Sequence, residues 1–173
     1  MILPFPYPLE PSAWDDQPVS EVRYWLRDTM MEGARCPCCE QSVKVYERSL
    51  PLASALVMIA LYRATDDPEE FVYLPPILDR MMTGTAHQGG YGTLSHHWKL
   101  IEQRPGVRDD GSDRVGWWRL TPLGRDFVRG VATVPRTATL YNDHCIKLDG
   151  PQWTIRDALV NKFDYRELME GTA

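Results

Sequence analysis

The sequence predicts an α+β domain built around a winged helix-turn-helix, and residues 99–128 are its most informative segment. This segment contains a helix end, a strand at Leu100–Gln103, a charged tip at residues 105–114 and a returning strand at Val115–Leu120. Glycines in the tip permit turns with positive φ, and the tryptophan pair of the return strand suits a pleated, half-buried surface. These features predict a two-stranded wing.

The segments on either side of the wing complete the winged-helix order. Thr121 and Pro122 supply an N-cap oxygen and a residue with fixed φ, so we expect a new helix there, ending at Val134–Pro135. Before the wing, the pattern predicts an apolar core helix, a short strand and two further helices, at residues 49–63, 71–74, 75–82 and 93–100. The helix at residues 93–100 takes the recognition position.

Two further regions flank this central domain, which we place at residues 49–133. Residues 1–48 comprise a proline-rich arm, an amphipathic helix from Val19 to Glu32 and a cysteine-containing turn. Residues 134–173 predict a hairpin followed by two short helices that pack on the central domain as a cap.

The predicted C-terminal hairpin has strands at residues 139–141 and 145–148, followed by a turn at Asp149–Gly150. The two short helices each begin with a capping box, Thr154 with Asp157 and Asp164 with Glu167.

Cys36 and Cys39 stand in C-x-x-C spacing within a proline-containing turn. A zinc knuckle presents two thiolates to one tetrahedral ion in this way, and Cys38 lies between them as a substitute ligand. The alternative interpretation is a set of reduced, packed thiols, because a free cysteine behaves as a small hydrophobic residue. The sequence therefore leaves open either a structural zinc ion or metal-free cysteines.

The remaining zinc ligands have several candidates. His144 and Cys145 would join the end of the chain to its start, although adjacent strand residues point to opposite faces. The rivals are Cys38 or one of His87, His96 and His97. Because His96 and His97 are adjacent on a predicted helix, their side chains diverge by about 100°, and we expect that they cannot chelate one ion together.

Charge and composition narrow the possible functions. The net charge is −5, yet residues 87–136 carry eight Lys and Arg against five Asp and Glu, so the predicted winged helix is the basic part of an acidic chain. An acidic protein does not coat nucleic acid indiscriminately.

No apolar run approaches a membrane span and the N-terminus lacks a basic leader, so we expect a cytoplasmic protein without membrane contact. No catalytic motif stands out, and we expect no enzyme activity.

One family resemblance is carried by the wing. The run Leu-Ile-Glu-Gln-Arg at residues 100–104, Arg114, and Trp-Arg-Leu-Thr-Pro-Leu-Gly-Arg-Asp-Phe at residues 118–127 resemble the wing and following helix of MarR-type transcriptional regulators. The resemblance implies a DNA-binding regulator of transcription with Arg114 in the minor groove. Ser112 stands where that family has an Asp, and the chain lacks the family's long terminal dimerisation helices, so monomer and homodimer both stay open. The whole layout also resembles bacteriophage proteins with a Cys-Pro-x-Cys knuckle and a winged helix.

We therefore expect double-stranded DNA as the partner. The residues expected to approach the major groove are Thr93, Ser95, His96 and Lys99, and those expected at phosphates or the minor groove are Arg104, Arg108 and Arg114. The alternative is a protein-interaction module, such as an inhibitor of a host factor or defence system, in which the winged helix is only a scaffold.

Overall fold

The computed structural model describes residues 14–77, 91–106, 111 and 116–171, without the side chains of residues 91–94. Helices and small antiparallel sheets alternate along these residues, which confirms the α+β class. The chain divides into two compact units, Met1–Tyr46 and Glu47–Ala173. Over the described residues, none of the helices combines the length and the apolar character needed to cross a membrane.

The first unit contains the predicted amphipathic helix and a short hairpin. Helix α1 (Val19–Thr29) is followed by Gly33, whose N–H donates to the carbonyl of Thr29 and whose φ is +93°. Strands β1 (Ala34–Arg35) and β2 (Ser42–Val43) then pair in antiparallel fashion. The hairpin brackets the cysteine-containing turn.

The second unit is organised around helix α2 (Leu52–Ala64), which follows Pro51. Its buried side chains lie around nearly its whole circumference and include Ala55, Val57, Met58, Ile59 and Leu61. A helix that is apolar all round has no face suited to water, so it belongs in the interior. The prediction of a central core helix is confirmed.

A three-stranded sheet packs on this helix. Strands β4 (Val72–Tyr73), β5 (Ile101–Gln103) and β6 (Trp117–Leu120) are antiparallel, with β6 in the middle. Of the two tryptophans in β6, Trp118 packs against the core and Trp117 is 37% exposed. This is the alternation expected of a strand with one covered face.

The segment before β5 differs from the prediction. Tyr91–Trp98 form a 3₁₀ helix instead of an α-helix at residues 93–100. Glycines in and before this segment disfavour an α-helix, and Lys99 adopts a left-handed φ of +58°, so the chain turns into β5 at once. Trp98 is buried, and its Nε1–H donates to the carbonyl of Pro135 at 2.6 Å, which anchors the segment from inside.

Helix α3 (Pro122–Val128) starts where the sequence predicts, at a hydroxyl cap. The Thr121 Oγ1 accepts a hydrogen bond from the N–H of Gly124 at 3.0 Å. A Cβ at Gly124 would lie 1.9 Å from the carbonyl oxygen of Leu100, so only glycine allows the helix to approach β5 this closely. The helix ends at Val128 and not at Val134–Pro135, because those two residues begin a strand.

That strand belongs to a second three-stranded sheet. Its strands are β3 (Tyr46–Ser49), β7 (Val134–Tyr141) and β8 (His144–Trp153), with β7 central. The hairpin is far longer than the one predicted, and Asp149–Gly150 lies inside β8 and is not a turn. The register shifts twice along the pair, once beside Gly150, whose φ of +88° accommodates a bulge.

The two terminal helices begin as predicted. Helix α4 (Ile155–Ala158) carries the full capping box between Thr154 and Asp157. Asp164 caps α5 (Tyr165–Glu170) by accepting from the N–H of Glu167 at 3.0 Å. Ile155 and Ala158 are buried, so α4 contributes to the core of the second unit.

Candidate metal centres and nucleic-acid interface

The cysteine turn, defined as residues 36–41, is closed by two backbone hydrogen bonds. The N–H of Cys36 donates to the carbonyl of Gln41 at 2.9 Å, and the N–H of Glu40 donates to the carbonyl of Cys36 at 2.8 Å. Glu40 has a left-handed φ of +57°, which completes the tight turn between β1 and β2. Cys36 is half-buried, whereas Cys38 and Cys39 are exposed.

The sulfur atoms of this turn interact with one another. Burial opposes ionisation of Cys36, but the backbone N–H groups of Cys38 and Cys39 and the thiols of both residues lower its pKa below the usual value. The pKa of Cys38 is raised by desolvation and by the charge of Cys36. Backbone N–H groups directed at a sulfur atom stabilise a thiolate, which is the form that binds zinc. The turn therefore fits the first half of a zinc knuckle.

The other sequence-predicted ligands lie in the second unit. His144 and Cys145 are the first residues of β8, and both are exposed. The Cys145 thiol donates to the carbonyl of Lys147 at 3.6 Å, within its own strand. A site that joins them to the cysteine turn stays a prediction. His87 lies outside the described residues.

The structure brings together a second group of possible ligands. His96, His97 and Asp143, which we call the histidine–aspartate cluster, have ligand atoms that all lie within 4.8 Å of one another. The two imidazole rings pack against each other with centroids 3.9 Å apart and their planes tilted by 40°. The expectation that adjacent histidines cannot share an ion is therefore wrong. Their Cβ atoms diverge, but the imidazoles extend far enough from the backbone for χ rotations to bring the rings together.

His97 is the buried member of this cluster. Its side chain is 2% exposed, and its Nε2 lies 3.4 Å from Asp143 Oδ1. Burial lowers its pKa first and the neighbouring His96 lowers it further, while Asp143 opposes the shift and His144 adds to it. The lowered pKa of His97 favours the neutral imidazole, which is the form that coordinates metals.

The predicted DNA-contacting residues have different environments. Ser95 is fully buried, so its hydroxyl faces the interior and cannot reach a base edge in this conformation. His96 is half-buried and lies in tilted ring contacts with His97 and, at 6.3 Å between centroids, with Trp118. Lys99 and Arg104 are exposed. The side chain of Thr93 and the whole of Arg108 and Arg114 lie outside the described residues.

An ion-pair network on the sheet of β4, β6 and β5 was not predicted. Arg119 forms ion pairs with Glu102, its cross-strand partner, and with Glu69. Its guanidinium also stacks over Phe71, 4.6 Å from the ring centroid. The pairing of Glu102 with Arg119 across two antiparallel strands was the available signal. The Arg119 guanidinium is therefore paired within the chain, and Glu102 and Glu69 compensate its charge.

Comparison of the chain with protein-family models, curated proteins and solved structures found no match.

Proposed function

We propose that the chain is a winged-helix protein that binds double-stranded DNA and regulates transcription. The observation that carries the proposal is the strand order of the sheet formed by β4, β6 and β5, which we call the wing sheet. Core helix α2, strand β4, the helical residues 75–77, the 3₁₀ helix and the β5–β6 hairpin follow one another, and β6 pairs with both β4 and β5. This order and pairing support a winged helix, in which α3 would follow the wing.

Two exposed cations support a nucleic-acid surface next to the wing. Lys99 directly follows the 3₁₀ helix, before β5 begins, and Arg104 follows β5 at the end that leads to the tip. The N–H of Arg104 donates to the carbonyl of Trp117 at 2.9 Å, which holds its backbone against the hairpin. We assign phosphate contacts to these two residues and to Arg108 and Arg114 of the tip.

The same arrangement changes the expected mode of recognition. Ser95 is buried and His96 packs against His97, so neither supports a base contact. Because we now assign Lys99 to a phosphate and not to the major groove, Thr93 is the remaining major-groove candidate on this segment. We therefore propose that phosphate contacts and the wing dominate binding. With a net charge of −5, binding to arbitrary duplexes should be weak at physiological salt.

The test is the salt dependence of DNA binding. The probe is a duplex library with a randomised centre, from which bound sequences are selected at low salt and then measured singly. Arg104→Ala should weaken binding to all selected duplexes and reduce the slope of log K against log salt by roughly one unit, because one phosphate contact is lost. Arg166→Ala, an exposed arginine on α5, is the matched control and should leave the slope unchanged. Failure to retain any duplex at low salt would overturn the proposal.

A second candidate, a protein-interaction module, is favoured by one surface feature. Tyr73 and Trp117 form an exposed aromatic pair with ring centroids 5.2 Å apart, and the Arg104 guanidinium lies 6.0 Å from the Trp117 ring. Tyr, Trp and Arg are the residue types that dominate binding energy at protein interfaces. On this hypothesis Trp117→Ala abolishes partner capture while Arg114→Ala does not, and no duplex DNA is bound.

A further inference from the structure

We propose that His96, His97 and Asp143 form a binding site for a divalent transition-metal ion, with Zn²⁺ as the expected occupant. The ion would join the 3₁₀ helix to the turn of the β7–β8 hairpin. This site is distinct from the cysteine turn, and its existence does not depend on DNA binding.

The separations between the ligand atoms suit a metal ion. Tetrahedral coordination at about 2.0–2.2 Å places neighbouring ligand atoms about 3.3–3.6 Å apart. The Nε2 of His97 and the Oδ1 of Asp143 already lie 3.4 Å apart, and all three ligand atoms lie within 4.8 Å. Asp143 is 85% exposed and His96 is half-buried, so small rotations of these two side chains can close the remaining distance.

The environment of His97 points to a missing partner. Its Nε2 is buried, and the 3.4 Å approach of Asp143 is too long for a strong hydrogen bond, so among the described residues this atom has at most a weak partner. Native proteins rarely leave a buried polar atom unpaired. A neutral imidazole nitrogen offers its lone pair to a metal ion, and such an ion would satisfy this atom.

The hairpin turn positions the third ligand. Asn142 and Asp143 have φ of +47° and +62°, the conformation of a two-residue type I′ turn between Tyr141 and His144. Asn and Asp tolerate this left-handed region better than other residues with a side chain. The turn directs the Asp143 carboxylate toward His97, and two imidazoles with one carboxylate are a ligand set for zinc and its neighbours.

The test uses the full-length chain and Zn²⁺ alone as the probe. Long-range ¹H–¹⁵N spectra of the imidazoles report only histidine nitrogens, so zinc held by cysteine thiolates does not by itself shift them. We expect the resonances of His96 and His97 to shift together as zinc is added. His96→Asn identifies its own resonance and should weaken zinc binding at the remaining imidazole.

Asp143→Asn is the decisive variant, because an exposed turn residue that keeps its turn propensity should leave the fold intact. We expect it to weaken the zinc affinity read from His97 by at least about tenfold, since even residues behind a metal's direct ligands contribute 10–100-fold. Asp66→Asn, an exposed carboxylate in a turn outside the cluster, is the matched control and should not change the affinity. Two results would overturn the proposal. One is that the imidazole resonances of the wild type do not shift when zinc is added, and the other is an unchanged zinc affinity in Asp143→Asn.

Discussion

The cysteine turn and the histidine–aspartate cluster are both candidate metal sites, and they are built in opposite ways. The cysteine turn takes its thiols from one short loop, between β1 and β2. The cluster takes two imidazoles from the 3₁₀ helix and a carboxylate from a turn that lies beyond β5, β6 and α3 in the chain. The first site offers soft sulfur ligands, and the second offers nitrogen and oxygen.

Because the two sites lie in units with different cores, the metal ions would stabilise different parts of the protein. In the described part of the first unit the buried hydrophobic residues are Val22 and Val45, so this unit has little core of its own. The second unit has a continuous core around α2. A metal ion in the cysteine turn would therefore hold the first unit in its folded state, whereas one in the cluster would add to a domain that is already stable.

The largest effect is expected from removing the zinc ligands of the cysteine turn. Cys36→Ser with Cys39→Ser should remove about one zinc ion per chain and unfold the first unit, because structural zinc supplies the folding energy of domains with small cores. Metal analysis and hydrogen exchange should show lost protection over residues 14–46 and retained protection in α2.

Cys145→Ser decides whether the C-terminal region supplies a ligand to that zinc ion. An equal loss of zinc places Cys145 in the site, and an unchanged zinc content removes it. Wild-type protein that keeps full protection without zinc and with four titratable thiols would contradict the zinc knuckle.

The intermediate effect concerns the cluster. Zinc at one hundred times its dissociation constant should stabilise the second unit by about 2.7 kcal/mol, since only the folded state assembles the site. Urea unfolding of the second unit with zinc and with a chelator measures this difference. At the same zinc concentration Asp143→Asn should reduce it to about 1.4 kcal/mol or less, because the affinity of this variant is at least about tenfold weaker. A zinc-dependent shift of equal size in Asp143→Asn would assign the stabilisation to another site.

The smallest effect is expected from changing the β7–β8 hairpin turn, which positions Asp143 in the cluster but does not contribute to the cysteine turn. Asn142→Val places a β-branched residue at a φ of +47° and should lower the free energy of unfolding by about 1–2 kcal/mol. It should also weaken zinc binding at the cluster and leave the cysteine zinc unchanged. Asn142→Gly is the control, because glycine adopts this φ without strain. Equal stability of the two variants would argue against the type I′ turn.

The two sites also differ in how far sequence could predict them. Cys36 and Cys39 are recognisable because zinc-knuckle ligands sit at a fixed local spacing. The divergence of adjacent residues on a helix argues against His96 and His97 as ligands of one ion, and no local signal in the sequence indicates Asp143. Only the packing of the hairpin against the 3₁₀ helix brings Asp143 to His97.

The same contrast holds for the fold. Strands β5 and β6 and the helix starts at Thr121, Thr154 and Asp164 depend on residues close in sequence, and their positions were predicted well. The β7–β8 hairpin was predicted too short because Pro135 and Asp149–Gly150 are typical of breaks and turns. In the structure these residues lie in or beside a bulge, where the strand pair tolerates them.

The bulges of β8 have a consequence for self-association. Among the described strands β8 lies at the edge of its sheet, and ten exposed or half-buried residues in a row would offer a template for pairing with a second chain. Two bulges distort that edge, Pro151 lacks an N–H to donate, and the ion pair of Lys147 with Asp149 adds charge along the strand. Each of these features opposes the addition of another strand, so β8, the longest of the described strands, is protected against aggregation along its open edge.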